Sequence, residues 1–239
     1  NLAEPRRTYA GMLAAMDEAV GKIAEAIDRK GIAQNTLIVF SSDNGGPAPG
    51  KVTSNGPLRG AKGGLFDGGV RVAAFATWPG KIKAGSTVDA PLHIVDLFPT
   101  FVKLAGAPAE QPLPLDGRDA WPTIAEGKGS PHDAILLNTT PRNGAIRVGD
   151  WKLIVGRPAG AGGDDGEADN AAQDPERMRV RLFNLVDDPY EKDDLASKNP
   201  AKVAELRARY DSFASQAVPP KAAPKPPGFR SPRVWGEAD

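Results

Sequence analysis

An amphipathic helical pattern that leads into a short apolar run is the feature that most constrains this chain. Between residues 7 and 30, apolar side chains recur at spacings of four, four, three and four, which predicts a helix that ends at Gly31. The run Leu37–Phe40 is apolar and bounded by turn-forming residues, which predicts a buried strand. Further helix and strand patterns alternate as far as residue 108. This alternation predicts an α/β fold with a mixed or mainly parallel sheet and flanking helices.

After residue 108 short strand candidates replace that alternation. They lie within residues 133–140, 145–156 and 179–188, and the second is a predicted hairpin that turns near Gly149. A predicted helix, Pro200 to Ala217, follows them. The segment of residues 157–177 is too polar to hold a core, and residues 218–229 are rich in proline. We therefore predict two parts, residues 1–108 and residues 109–239, the second a small antiparallel sheet with one helix.

Composition excludes several classes of function. The chain has 30 basic and 30 acidic residues, so no overall field favours nucleic acid or a membrane surface. No apolar run reaches the length of a membrane span. Cysteine is absent from the 239 residues, so this chain offers no disulfide, no thiolate metal ligand and no thiol nucleophile.

The first predicted strand ends in a group of oxygen-bearing side chains. Asp43 and Asn44 follow it directly and precede two glycines. In α/β sheets, ligands bind in the crevice outside the carboxyl ends of the strands. Carboxylate and carboxamide oxygens are the ligands that a hard cation such as calcium or magnesium prefers. The alternative for an isolated motif of this kind is an Asx turn that closes the strand.

A glycine-rich loop, residues 56–71, supplies the second candidate constellation. Its glycines allow tight bends and close backbone approach, and its cations Arg59 and Lys62 could hold an oxyanion. Its spacing does not match a nucleotide-binding P-loop, because glycine rather than serine or threonine follows Lys62. The alternative is that both cations are solvated surface charges. We predict that Arg71 pairs locally with Asp67.

The remaining polar candidates are interpreted as structural. His93 precedes a predicted helix and is expected to bond backbone, whereas His132 lies in a predicted turn and is expected to be solvated. Asp187 and Asp188, before a proline, read as turn chemistry. No serine, histidine and aspartate have the spacing of a catalytic triad.

Seven segments of the chain, in this order and spacing, resemble the type I, formylglycine-dependent sulfatases, most nearly the arylsulfatase A and B group. They are YAGMLAAMDEAVGKI, TLIVFSSDNGG, PLRGAKGGLFDGGVR, HIVDLFPTFVKLAG, LDGRDAW, AIRVGDWKLI and LFNLVDDPYEKDDLA. The resemblance implies an alkaline-phosphatase-like fold. It also implies that residues 1–108 are the C-terminal portion of the α/β catalytic domain and that residues 109–239 are the C-terminal subdomain.

The resemblance also implies roles for three residues in hydrolysis of a small-molecule or glycan sulfate ester. Asp43 and Asn44 would be ligands of Ca²⁺, with Mg²⁺ less favoured, and Lys62 would bind the sulfate and assist catalysis. The formylglycine nucleophile of such enzymes lies in an N-terminal half that this chain does not contain, since no cysteine and no SxPSR motif occurs here. We expect that half to be the chain's partner, and we expect the chain alone to be inactive and to bind calcium weakly.

Two other functions stay open at this point. The first is a phosphodiesterase or phosphonate hydrolase on the same fold, although such enzymes usually have histidine where this chain has Asn44. The second is a non-catalytic half-protein. The compartment cannot be read from this chain, and the resemblance implies a periplasmic or secreted protein. Without the other half, we expect an uncovered sheet edge and uncovered apolar helix faces that favour association.

Overall fold

The structure, a computed structural model, describes residues 2–47, 49–108, 110–140, 143–156 and 180–217, with backbone only at 138–140 and 143. The segments predicted as a polar loop (157–177) and a proline-rich tail (218–229) lie outside the described residues. The elements in chain order are α1 (Glu4–Arg29), β1 (Ile38–Ser41), α2 (Asp67–Val70), β2 (Ala74–Thr77), α3 (Leu97–Leu104), α4 (Trp121–Glu126), β3 (Ile135–Thr140), β4 (Asn143–Val148), β5 (Trp151–Val155), β6 (Val180–Asn184) and α5 (Pro200–Ala214). Single-turn 3₁₀ helices occupy Ala33–Asn35 and Ile94–Asp96.

The first two strands form a two-stranded antiparallel sheet, in which Ile38 is opposite Thr77 and Ser41 is opposite Ala74. The expectation of mainly parallel pairing is therefore wrong for these strands. Parallel neighbours need a crossover that returns the chain to the starting end of the sheet, usually through a helix. Here the connection is the glycine-rich loop with the single turn α2, so β2 runs back from the end that β1 has reached.

The first helix and the two-stranded sheet present uncovered apolar faces. None of the residues of α1 is buried, and Met12 and Ile23 are 66% and 58% exposed. On the sheet, Phe75 stacks on Phe40 at 5.0 Å between ring centroids, yet it is 51% exposed. The periodicity correctly predicted the helix and its apolar face. Within the described residues nothing packs onto that face closely enough to bury it.

The second sheet is antiparallel in the order β3-β4-β5-β6, and β4 and β5 form the predicted hairpin at Gly149 and Asp150. One face of this sheet packs on α5, where Leu206 and Tyr210 are buried against it. The α5 helix ends at Ala214, three residues before the predicted end at Ala217. The antiparallel sheet packed on α5 confirms the predicted sheet and helix, whereas the short helix α4 (Trp121–Glu126) of the same part was not predicted.

The other face of the four-stranded sheet packs on the glycine-rich loop. Leu65 and Phe66 of that loop form one cluster with Ile154 and Phe183 of the sheet. Alternate residues of a strand point to opposite faces, so Lys152 and Ile154 lie on the side of the loop and Leu153 lies on the side of α5. The loop that carries Lys62 is therefore seated on the C-terminal sheet.

Candidate active site at the end of the first strand

Asp43 and Asn44 lie just beyond the last residue of β1. Ser42 Oγ donates to the Asn44 carbonyl at 2.9 Å, and the Asn44 amide nitrogen donates to the Gly45 carbonyl at 2.9 Å. The Asp43 side chain is exposed and makes no hydrogen bond or ion pair with any described residue. An Asx turn at Asp43 would require its carboxylate to accept a backbone N–H, so this alternative is wrong.

Backbone hydrogen bonds join this strand end to the glycine-rich loop. The Gly45 N–H donates to the Gly69 carbonyl at 2.9 Å, and the Lys62 N–H donates to the Gly46 carbonyl at 3.4 Å. The loop therefore passes directly beside the two oxygen-bearing residues. The structure brings the backbone of Lys62 to the segment that carries Asp43 and Asn44.

Asn55 strengthens this junction from within the loop between β1 and β2. Its Oδ1 accepts from the Gly46 N–H at 2.7 Å, and its Nδ2 donates to the carbonyls of Gly46 and Gly60 at 2.9 and 3.0 Å. One carboxamide thus binds both the segment after β1 and the glycine-rich loop. Asn55 was not predicted as a site residue, because its only sequence signal is an Asn-Gly pair typical of turns.

Glycine is required at the junction because the two backbones are in contact. A Cβ at Gly45 would lie 1.7 Å from the Gly68 carbonyl oxygen. A Cβ at Gly68 would lie 2.4 Å from the Arg59 oxygen, and a Cβ at Gly69 would lie 2.4 Å from the Ala61 oxygen. The prediction that the loop glycines permit close backbone approach is confirmed. They allow the backbone of the loop to pack directly against other backbone segments.

The two loop cations have different environments. Arg59 donates from Nη1 to the Glu191 carbonyl at 2.8 Å, and its guanidinium lies 4.1 Å from the Phe66 ring centroid. Lys62 is exposed, and its ammonium has no hydrogen-bond or ion-pair partner among the described residues. Lys62 is therefore exposed with an unpaired ammonium in the described part of the chain, whereas Arg59 is used to fold the loop.

A buried ionic cluster that the sequence analysis missed lies beneath the loop. Lys152 Nζ is 2.7 Å from Asp67 Oδ1 and 2.8 Å from Glu191 Oε1, and Lys152 and Glu191 are both fully buried. Arg71 does reach Asp67, as predicted, but only at 3.9 Å. Desolvation raises the pKa of Glu191 above its usual 4.5, although Lys152 and the Asp67 N–H act to lower it. The available sequence signal for this cluster was Lys152, a charged residue within the otherwise apolar strand β5.

A second polar cluster surrounds Asp96, and its geometry shows that the prediction of a solvated His132 is wrong. His132 is not solvated, because its Nε2 lies 2.6 Å from Asp96 Oδ1 and its side chain is only 8% exposed. Asp96 also accepts the backbone N–H groups of His93 and Arg118, at 2.8 and 2.9 Å. A buried carboxylate with these donors can hold a histidine that the turn sequence alone would leave in water.

The structural interpretation of His93 is confirmed. Its ring nitrogen Nδ1 accepts from the Val95 N–H at 3.2 Å and begins the 3₁₀ turn before α3. Burial lowers the pKa of His93 below its usual 6.5, with His132 contributing in the same direction and Asp96 and Asp116 opposing it. Asp188 likewise serves as turn chemistry, accepting from the N–H groups of Lys192 and Asp193.

The donor set at the strand end suits a hard cation but is incomplete. Asp43 offers an unpaired carboxylate, and Asn44 uses its amide nitrogen for Gly45, which leaves its Oδ1 without a hydrogen-bond partner in the described part of the chain. Calcium takes six to eight oxygen ligands. No group of three or more histidine, cysteine, aspartate or glutamate side chains in the described ranges could hold a metal ion. The oxygens of Asp43 and Asn44 are of the type that calcium takes, but they could supply only part of its ligands.

Solved structures identify the class of fold. The crystal structure of Ps i-CgsB superposes with a TM-score of 0.72 at 32% identity, over 89% of this chain and 44% of that one. The phosphonate monoester hydrolase of Agrobacterium radiobacter has a TM-score of 0.60 at 24% identity, a likeness of fold alone. The chain therefore has the alkaline-phosphatase-like α/β fold that the resemblance implied.

Sequence comparison then gives the family within that class. Residues 1–107 match the family model described as Sulfatase. Arylsulfatase J of Mus musculus is 37% identical over 97% of this chain and 44% of its own length. Steryl-sulfatase of Mus musculus is 32% identical over 86% of this chain and 36% of its own length. The predicted resemblance is confirmed: the chain is similar to the C-terminal part of curated sulfatases and spans less than half of their length.

No helix within the described residues is long and apolar enough to cross a membrane.

Proposed function

We propose that this chain forms part of a calcium-dependent sulfatase, a hydrolase of sulfuric esters, in which Asp43 and Asn44 hold the metal and Lys62 holds the sulfate. The observation that carries the proposal is the junction between the strand end and the glycine-rich loop. Direct backbone hydrogen bonds join the two segments, and the side chains of Asp43 and Lys62 have no partner within the described residues. A carboxylate and an ammonium left unpaired on adjoining segments are available to a cation and to an anion.

The chemistry of a sulfate ester suits this pair of charges. Its non-bridging oxygens are anionic, and charge redistributes as the S–O bond breaks. The Lys62 ammonium stabilises that charge and orients the sulfur for attack, a role of positioning and electrostatics. A calcium ion at Asp43 and Asn44 would act as a Lewis acid on the same oxygens. The exposure of Lys62 leaves its ammonium able to reach a bound anion.

The nucleophile must come from outside these residues. The chain has no cysteine and no SxPSR motif from which formylglycine could be made. We infer that an N-terminal half supplies the formylglycine and the remaining calcium ligands. Its presence would also account for the uncovered faces of α1 and the two-stranded sheet, since contiguous apolar surface of this kind marks an interaction site.

A sulfated glycan or a small sulfate ester is the substrate class that we propose. In support, Ps i-CgsB, at 32% identity, has been crystallised in complex with k-i-k-neocarrahexaose. The same family resemblance favours a periplasmic or secreted location. We also propose the division into two parts at residue 108. The two parts are in contact, because Leu65 and Phe66 of the first part pack onto the C-terminal sheet of the second.

Replacement of Lys62 by alanine in the complete protein tests the proposed function. Loss of one electrostatic contact to the reacting group typically costs about 10²–10³-fold in turnover, so we expect Lys62→Ala to lower kcat for an aryl sulfate by about that factor. Lys51→Ala is the matched control, because Lys51 is an exposed lysine of the preceding loop. Both variants should unfold at the temperature of the wild type.

Parallel assays with aryl phosphate diesters and aryl phosphonates separate the sulfatase from the phosphonate hydrolase that shares its fold. Sulfate-ester turnover by Lys62→Ala within about tenfold of the wild type would remove Lys62 from the site. A complete protein that hydrolyses none of these esters would favour the non-catalytic alternative.

A further inference from the structure

The buried cluster of Asp67, Lys152 and Glu191 joins three distant parts of the chain. Asp67 begins α2 at the end of the glycine-rich loop, Lys152 belongs to β5, and Glu191 follows β6. Their side chains are 7%, 0% and 0% exposed, respectively. Two carboxylates and one ammonium lose their hydration here, and apolar side chains of similar volume would usually stabilise the fold at least as well. The retained charges therefore call for an explanation beyond stability.

Glu191 binds both ends of the segment from Arg59 to Asp67 within the glycine-rich loop. Its side-chain Oε2 accepts the Asp67 N–H at 2.6 Å, and its backbone carbonyl accepts from Arg59 Nη1 at 2.8 Å. Lys62 lies between Arg59 and Asp67 in the sequence. Both ends of the segment that carries Lys62 are therefore hydrogen-bonded to the same residue, Glu191. Glu191 also has a positive φ of 55°, a conformation that is uncommon for residues other than glycine. The bend directs its carbonyl and its carboxylate to different ends of the same segment.

Lys152 keeps the two carboxylates of this arrangement together. Its ammonium contacts both Asp67 and Glu191, which would otherwise repel each other in a buried space. The Asp67 turn in turn leads to Gly69, whose carbonyl accepts the Gly45 N–H beside Asn44. The cluster thus has a continuous path of short contacts to the segments of both Lys62 and the metal ligands.

We propose that Asp67, Lys152 and Glu191 are positioning residues, which fix the segment from Arg59 to Asp67 so that the Lys62 ammonium is presented to the sulfate. The proposal rests on the proposed function of Lys62. It assigns to the C-terminal sheet a direct part in the active site, through Lys152 of β5 and Glu191 after β6. None of the three is a catalytic residue, because they act through the position of Lys62.

A double-mutant cycle between Lys152→Met and Lys62→Ala in the complete protein tests this inference. Displacement of a reacting group by about 1 Å can cost about 10²-fold, so Lys152→Met should lower kcat/KM for an aryl sulfate by up to that factor. In the Lys62→Ala background the same change should cost less than about threefold, since the group being positioned is already gone. Equal losses in the two backgrounds would overturn the inference.

Leu153→Ala is the matched control for a purely structural effect. Leu153 is fully buried in the same strand but faces α5, so its truncation destabilises the sheet without touching the loop. Below its unfolding temperature we expect this variant to keep kcat within about twofold of the wild type in either background. A loss at Leu153→Ala equal to that at Lys152→Met would show that sheet stability alone sets the activity.

Asp67→Asn provides a second entry to the cycle if Lys152→Met does not fold, because it removes a charge with little change of shape. Hydrogen exchange gives a readout independent of activity: amides of residues 60–69 should exchange at least about tenfold faster in either variant, with α5 unchanged. Unchanged exchange in the loop would overturn the inference. If Lys62→Ala alone leaves kcat/KM intact, the proposed function of Lys62 fails first, and that result is distinct from an additive cycle.

Discussion

Replacement of Gly45 by alanine is the sharpest perturbation of the junction on which the proposed site depends. The added Cβ would lie 1.7 Å from the Gly68 carbonyl oxygen and 2.8 Å from the Gly68 carbonyl carbon. Such atoms essentially never approach a Cβ within 3.0 Å, so the two backbones would have to separate by about 1.3 Å. Neither neighbour can give way by a rotamer change, because both are backbone atoms.

The separation has two consequences that can be estimated. It breaks the 2.9 Å hydrogen bond from the Gly45 N–H to the Gly69 carbonyl, which contributes about 1 kcal/mol. Overpacking of a well-packed interior costs about 1–3 kcal/mol more, so we expect the free energy of unfolding to fall by about 2–4 kcal/mol. The same shift moves Asn44 away from the loop of Lys62, and a misplacement of about 1 Å can reduce turnover about 10²-fold.

Two assays on the complete protein check these expectations together. Chemical denaturation measures the loss of stability, and hydrolysis of an aryl sulfate below the unfolding temperature measures the loss of turnover. Gly21→Ala is the control, because a Cβ at Gly21 in α1 meets nothing within 4 Å, and alanine favours a helix by about 1 kcal/mol. Gly45→Ala with the stability and kcat of the wild type would refute the reasoning that backbone contact holds the two segments in place.

Two further predictions concern the metal and pH. We expect Asp43→Ala to raise the calcium concentration that gives half-maximal activity by at least about tenfold, with Asp17→Ala unchanged; equal calcium dependence would exclude Asp43 as a ligand. Because burial lowers the pKa of folded His93 below 6.5, its contribution to stability is complete above pH 6.5 and is lost as pH falls below 6.5 and through the lowered pKa. His93→Asn keeps an acceptor for Val95, so it should unfold with a smaller decrease in Tm between about pH 7 and about pH 5 than the wild type; an equal decrease would contradict this.

Local patterns predicted most of the secondary structure. The spacing of apolar residues located α1 and α5 within a few residues, and the hairpin between β4 and β5 followed from two apolar strands around a glycine. The direction of pairing between β1 and β2 was beyond such reasoning, because it depends on the path of the connection and not on the strands themselves. Alternation along the chain predicts a class of fold more reliably than it predicts which strands are neighbours.

The residues of the candidate site fall into two groups: those that could be predicted from local sequence and those that depend on long-range packing. Asp43, Asn44 and Lys62 belong to short motifs whose chemistry can be interpreted from the local sequence alone. The ionic cluster is not, because Lys152 is 85 residues from Asp67 in sequence and Glu191 is 124 residues from it. The same holds for His132, whose burial results from a carboxylate 36 residues away. What the sequence could not show is which charges meet, since long-range packing decides that.

The position of Lys152 in its strand carries an argument about how the two parts of the chain depend on each other. Its strand neighbour Leu153 faces α5 and serves the core of the C-terminal sheet, whereas Lys152 faces the glycine-rich loop. A sheet that merely needed a second apolar face would be served by leucine or methionine at that position, at no desolvation cost. A lysine there is favourable only when both Asp67 and Glu191 are in place, so the sheet discriminates among loop conformations by charge. The C-terminal sheet and the loop of Lys62 therefore stabilise each other's folded conformation.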